Sequence, residues 1–191
     1  AFGLKKMNKV GKNNLENREI WLKKALLSIK DSESIIDIGA GQLKYKKYCE
    51  HLTYTAQDFA SYNGIGNTEG FQTKNWDNSK LDIISDIIKI PVNDCVFDNA
   101  MCIEVLEHVP YPDKAIREIN RIIKPGGKLI LTAPFASLTH MAPYFFNTGF
   151  SKYWHEKILS ENGFTLDEIN YNGNYFEFLA QEFRRLPEVA T

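Results

Sequence analysis

Cysteine is scarce in these 191 residues, and Cys49, Cys95 and Cys102 form no Cys-x-x-Cys pair. This excludes a disulfide-stapled scaffold and a cysteine-rich metal site. Reduced thiols in a cytoplasmic protein are the expectation, with two of the three cysteines in apolar, strand-like contexts. No apolar run approaches the ~20 residues that span a bilayer, and the N-terminus has no signal-peptide hydrophobic region, so no membrane partner is expected. Charge of one sign is missing too. Lys and Arg number 23 against 24 Asp and Glu, and the net charge of −1 gives no general pull on nucleic acid. Lys5, Lys6, Lys9, Lys12, Lys23, Lys24 and Lys30 cluster before Asp31, but a solvated helix face accounts for them. There is neither an internal repeat nor a low-complexity segment. One domain over residues 1–191 is expected, with 1–31 as an N-terminal helical lid or cover. Since the chain starts at Ala1 rather than Met, upstream processing is expected.

What is present is organised around Ser34 to Leu43, an apolar run that ends in Asp37 and in two glycines, Gly39 and Gly41. That is how a buried strand reads when it stops under a ligand, because glycine lets the backbone turn sharply and a ligand lie against it. Before it, Leu15, Trp21, Leu22, Ala25, Leu26 and Ile29 recur at helical spacing, which predicts an amphipathic helix from Asn13 to Lys30. Strands are expected at 34–38, 53–57, 81–85, 97–103, 128–133 and 164–171. A short helix at 44–50 is expected to aim its N-terminus back at the glycine turn. Further helices are expected from an Asp113 cap to a Pro125-Gly126-Gly127 stop, at 151–162, and at 174–185. Residues 61–80 read as a long irregular loop. The alternation specifies an α/β fold, a doubly wound and mostly parallel Rossmann-like sheet with helices on both faces.

Asp37, Asp58, Asp86 and Glu104 fall at or just beyond the ends of successive strands. Four acidic groups on one sheet edge are costly unless a ligand or solvent uses them, and in such sheets that edge is the binding crevice. Asp58 is placed to accept both hydroxyls of a ribose, with Phe59 beside it to pack on adenine, and Asp86 suits the exocyclic amine. NAD fits part of this pattern. However, no third glycine follows Gly39 and Gly41, where Leu43 stands in the run, and an acidic pocket without a phosphate cradle prefers a positively charged nucleoside.

S-adenosylmethionine is such a ligand, and the chain resembles the class I S-adenosylmethionine-dependent methyltransferases. The resemblance rests on Asp37-Ile-Gly-Ala-Gly41, Asp58, Ser85-Asp86, Phe97-Asp98, Glu104-Val-Leu-Glu-His108-Val-Pro and Ile122-Ile-Lys-Pro-Gly-Gly-Lys-Leu129, and covers roughly residues 35–164. It implies that Gly39 and Gly41 pass the methionine moiety, that Asp58 holds the ribose, and that Asp86 with Ile87 flanks the adenine, with Asp37 and Glu104 completing the cofactor site. The chain departs from the family in having Leu43 for the third glycine and no seventh strand after the last helix. A missing natural C-terminus or an incomplete sheet edge would account for the latter.

The implied reaction is methyl transfer to a hydroxyl, or secondarily an amine, of a small or medium-sized acceptor such as a saccharide or secondary metabolite. His140, in an aromatic segment with Pro143 and Tyr144-Phe-Phe, is the expected general base. Two alternatives remain: a catalytically silent methyltransferase-like binding module, and an RNA 2′-O-methyltransferase. No metal is the favoured reading. Glu104, Glu107 and His108, if spaced i, i+3, i+4 on a helix, together with His140, form the alternative divalent-metal set. It resembles the Glu-x-x-Glu-His plus distant His of metal-dependent small-RNA 3′-end and ubiquinone-pathway O-methyltransferases.

Overall fold

The computed structural model describes residues 10–188. Five strands form one parallel sheet: β1 (Ser34–Ile38), β2 (Thr53–Asp58), β3 (Ile83–Ile84), β4 (Phe97–Ile103) and β5 (Ile123–Thr132), in the order β3-β2-β1-β4-β5. The order reverses at β1, whose Ile35 pairs with Tyr54 on one side and Asn99 on the other. A strand that is central and covered on both faces must be apolar at both parities. Accordingly, Ile36 and Ile38 join Ala100 and Cys102 under one layer, while Ile35 joins Met101, Ile103 and Ile130 under the other.

Helix α1 (Asn14–Leu27) covers the second layer with Leu22 and Leu26, both wholly buried. Each of these leucines contributes about 1.5–3 kcal/mol by leaving water, so this helix belongs to the core and not only to a cover. Its Lys5, Lys6 and Lys9 approach lies outside the described residues. The first layer is covered by α2 (Pro112–Ile122), through Ile116, Ile119 and Ile122, and by α3 (Lys152–Glu161), through Leu159. Helix α4 (Tyr175–Arg185) starts at Asn174, whose side chain accepts from the backbone of Phe176 and Glu177 in a capping box with the Glu177 side chain.

Several expectations are corrected. Residues 44–50 hold only a three-residue 3-10 turn, Lys46–Tyr48, with no side-chain cap, so no helix N-terminus is aimed at the glycine turn. Tyr111, and not Asp113, occupies the N-cap position of helix α2, no side chain makes a capping bond there, and Pro112 opens the first turn. Pro125-Gly126-Gly127 does not stop that helix. The chain turns extended at Ile123, and the Pro-Gly-Gly stretch bulges where Phe97 pairs with Ile123 and Asn99 with Lys128. The expected sixth strand at 164–171 is not a strand: its backbone pairs with none, and Thr165, Asp167, Glu168 and Asn170 face solvent. β5 therefore has a neighbour on one side only among the described residues.

Candidate active site

The backbone turns at Gly39 (φ +70°) and Gly41 (φ +50°), where any side chain would be strained. Space is also closed: a Cβ on Gly39 would lie 2.5 Å from Val105, and one on Gly41 would lie 2.6 Å from the Trp76 ring. Leu43 takes φ +58°, the left-handed conformation a glycine would hold more cheaply, and its N–H donates to the Ala40 carbonyl. The turn is tied to β2 through Asp58, whose Oδ2 accepts the Gly41 N–H at 3.0 Å and whose Oδ1 accepts the Ala60 N–H at 2.8 Å. Phe59 meets Tyr144 edge to face at 4.9 Å, so the end of β2 touches the segment that follows β5.

Asp37 lies deeper than expected. It is buried on the α1 side of the sheet and accepts the Tyr54 hydroxyl at 2.6 Å. Burial raises its carboxyl to about 7, the Tyr54 bond opposes this, and nearby Asp58 adds to it. Since the folded value exceeds the ordinary 3.8, the stability this protonated group contributes is complete below that pH and is lost as pH rises through about 7. Asp37→Asn should therefore narrow the difference in melting temperature between about pH 5 and pH 8, a difference reflecting on the order of 2 kcal/mol or more. An unchanged difference in calorimetric melts would remove Asp37 as its source.

Asp86 stays exposed at the strand edge, with Oδ1 accepting the Ile88 N–H at 3.1 Å. The Ile87 side chain is buried in the core, which leaves only its backbone for a ligand. Glu104 sits at φ +56° immediately after β4, and its carboxylate bonds Arg18 of α1 at 2.6 Å. Such left-handed strain in a non-glycine residue is held by the surrounding structure and concentrates at functional sites.

Beyond Glu104 the chain makes a 3-10 turn, Leu106–His108, and not the α-helix that the i, i+3, i+4 argument assumed. Glu104 is consequently not among the converging ligand atoms. Glu107, His108 and His140 are, with one ligand atom from each lying within 4.8 Å of the others. His108 Nδ1 is 2.6 Å from the Tyr144 carbonyl and His140 Nδ1 is 2.9 Å from the Leu138 carbonyl. A carbonyl only accepts, so each Nδ1 carries the proton and each Nε2 is left with its lone pair. Both Nε2 atoms face Glu107 Oε1, at 3.8 and 3.9 Å. The other carboxylate oxygen, Oε2, is buried without a partner. Burial first, and Glu104 second, push Glu107 up to about 8. Burial holds both imidazoles below their usual range, with His108 near about 4.

His140 is positioned by the 61–80 loop. Phe71 bridges to it in parallel, the Phe71 N–H donates to the Thr139 carbonyl, and the Met141 N–H donates back to the Phe71 carbonyl. The same loop carries Trp76 over Gly41. Tyr54 and Arg18 are residues the sequence did not single out, while Trp76 could be read there only as either lining a cleft or packing beside the core. An aromatic in an irregular loop and an arginine on an amphipathic helix carry no local signal of what they touch.

A doubly wound parallel sheet with a glycine turn at its switch point and acidic strand ends is the architecture of a nucleotide-binding α/β domain. Residues 36–131, about half of the chain, match the methyltransferase domain family, and the chain belongs to this family, within the class I S-adenosylmethionine-dependent methyltransferases. It is 31% identical over 143 residues to a malonyl-(acyl-carrier protein) O-methyltransferase of Buchnera aphidicola subsp. Baizongia pistaciae, covering 72% of this chain and 54% of that protein. It is 27% identical over 110 residues to norajmaline N-methyltransferase of Rauvolfia serpentina, covering 53% and 36%. The chain thus spans about half or less of the length of these curated relatives. In fold it is similar to phosphoethanolamine N-methyltransferase 2 of Haemonchus contortus, solved with S-adenosyl-L-methionine, at a TM-score of 0.61 and 19% identity over 90% of this chain and 42% of that one. No helix among the described residues is long and apolar enough to cross a membrane.

Proposed function

We propose that this chain binds S-adenosylmethionine across the ends of β1, β2 and β4 and transfers its methyl group to a hydroxyl of a small or medium-sized acceptor. Gly39 and Gly41 pass the methionine end, Asp58 accepts from the ribose hydroxyls, Phe59 packs on the adenine and Asp86 accepts from its amine. Transfer is an in-line displacement on the sulfonium carbon, and holding the nucleophile at attack distance supplies most of the acceleration. An alcohol must also lose its proton, and one observation carries this part of the reading. His140 Nδ1 is pinned to a carbonyl, which leaves Nε2 as an oriented lone pair, and burial keeps the ring neutral near pH 7. Methyl-labelled S-adenosylmethionine offered with mixed phenolic, sugar and amine acceptors tests it. O-methyl products are expected, at a rate that rises with pH through an apparent pKa below the ordinary imidazole value; exclusively N-methyl products would overturn the hydroxyl assignment.

A second reading is favoured by the two inward Nε2 atoms and the orphaned Glu107 oxygen. Glu107, His108 and His140 fit a divalent cation such as Mg or Mn, with Tyr144 and Leu138 carbonyls orienting the imidazoles. A bound cation would lower the pKa of an acceptor hydroxyl, and His140 would then be a ligand in place of a base. Inhibition by EDTA, reversed by Mg or Mn, is expected only in this version.

The loop at 61–80 is proposed to close on the cofactor, since Trp76 lies against the turn the methionine end must pass. Adding S-adenosylhomocysteine should change tryptophan fluorescence in the parent protein and not in Trp76→Phe. An equal change in both would place the response at Trp21 or Trp154 and remove the loop from the binding step.

A further inference from the structure

An open cleft of about 2060 Å³ runs along β5, and its lining includes Glu107, His108 and His140 together with Arg185 in the last turn of α4. The Arg185 guanidinium carbon stands 4.3 Å from the centroid of the Phe71 ring, and Phe71 is the residue bridged to His140. Arg185 Nη1 donates to Glu182 Oε1 at 2.9 Å, and that oxygen also accepts from Gln181 at 3.0 Å, which fixes the carboxylate that fixes the arginine. Burial is the main reason the His140 ring resists protonation, and the Arg185 charge adds to it against Glu104 and Glu182.

A guanidinium stacked on an aromatic face and held along one edge has its plane set before any ligand arrives. Arg185 Nε and Nη2 have no hydrogen-bond partner among the described residues. They are not shut off either, since the side chain keeps about a quarter of its surface open (28%) and lines the cavity. Two other guanidiniums line the same cavity, Arg121, whose donors are taken by Glu118, Asp94 and the Val92 and Ile90 carbonyls, and Arg18. Arg18 gives Nη1 to Glu104, while its Nε is buried with no partner. Of the three, only Arg185 acts on the His140 ring and keeps donors open to the cavity among the described residues. The open Nε and Nη2 edge of Arg185 is a planar fork that matches the two oxygens of an anion, a geometry the single oxygen of a hydroxyl does not reproduce.

We infer that Arg185 is the acceptor-recognition residue of this cavity, and that the acceptor carries an oxyanion, a carboxylate or a phosphate, beside the hydroxyl that is methylated. The inference rests on the hydroxyl-acceptor reading above. The anion sits on the α4 side, against the Phe71-backed guanidinium, and orients the hydroxyl toward His140 Nε2. Glu182 and Phe71 are positioning residues, since they act through the arginine.

Equilibrium binding to protein saturated with S-adenosylhomocysteine tests this with two matched pairs of probes. The first pair is 3,4-dihydroxybenzoate against 3,4-dihydroxybenzamide, which reads a carboxylate. The second is uridine 5′-monophosphate against uridine, which reads a phosphate. In the parent protein the anionic member of one pair should bind roughly tenfold or more tightly, the effect of at least one charge-assisted hydrogen bond. The pair that responds identifies the anion. Arg185→Gln should bring the ratio near one, and Arg185→Lys, which keeps the charge without the fork, should restore only part of it. Equal binding of both members in both pairs, a preference that survives Arg185→Gln, or no binding of any probe while the cofactor site fills would each overturn the inference. A charge preference that depends on Arg185 together with N-methyl products alone would instead overturn the hydroxyl reading and leave the arginine's role standing.

Discussion

Asp58→Ala is expected to lower affinity for S-adenosylhomocysteine by about a hundredfold or more while the protein still folds. The carboxylate has two tasks. Its oxygens accept the Gly41 and Ala60 N–H groups, which holds the glycine turn against the end of β2, and in the proposed cofactor pose their remaining lone pairs accept from the ribose hydroxyls. Each charge-assisted bond is worth roughly 1.5–3 kcal/mol, so losing two to the ligand exceeds the hundredfold mark before the turn loosens. Asp58→Asn sharpens the test. An amide nitrogen facing the Gly41 N–H would set donor against donor, so the asparagine should recover only part of the loss. Folding is protected because the apolar layers run along the sheet and not through this side chain. Isothermal titration calorimetry with a melting curve as control decides it, and parent-like affinity in Asp58→Ala would end the ribose assignment.

His140→Ala should abolish turnover, by a factor of 10² or more for the loss of a general base, with no change in cofactor affinity. The imidazole lies beside Glu107, His108 and Phe145, whereas the residues closest to Gly39 and Gly41 are Val105 and Trp76, so the proposed base stands apart from the proposed methionine end. Burial lowers its pKa, so the parent rate should rise from acid pH and level off below the usual imidazole midpoint. That limb should be missing from whatever residual rate the variant retains. In the metal version Glu107→Gln should be equally damaging and EDTA should mimic it. In the base version Glu107→Gln should be milder, because a carboxyl raised to about 8 is already largely neutral near pH 7. Wild-type activity in His140→Ala on a verified acceptor would contradict both.

Elements whose burial is local in character were legible from the residue order. β4 was expected at 97–103 and found at Phe97–Ile103, because a strand covered on both faces is an apolar run bounded by polar residues. The acidic strand ends were legible in part, since Asp58 terminates β2 and Glu104 directly follows β4, while Asp37 stays inside β1 and turns to Tyr54. β3 shrank to Ile83–Ile84, since an edge strand has one neighbour to set its length. The stretch at 164–171 holds Phe164, Leu166, Ile169 and Tyr171 after a helix stop, yet pairing is a long-range property and that stretch makes none. Helical spacing was assumed after β4, but Glu104 takes a left-handed conformation and the chain tightens into a 3-10 turn. Glu107, His108 and His140 thus converge without Glu104, which finds Arg18 instead. Trp76 over Gly41 and Arg185 over Phe71 join residues 35 and 114 positions apart, with no sequence spacing that announces either contact.

The central claim is that the acidic, glycine-turned ends of this sheet hold S-adenosylmethionine. Calorimetric titration of the purified chain with S-adenosylhomocysteine, and separately with NAD, tests it most directly. Saturable binding of S-adenosylhomocysteine at one site per chain, weakened in Asp58→Ala, and no heat from NAD is the predicted result. NAD binding in its place, or no binding of S-adenosylhomocysteine at high micromolar concentration, would contradict the claim.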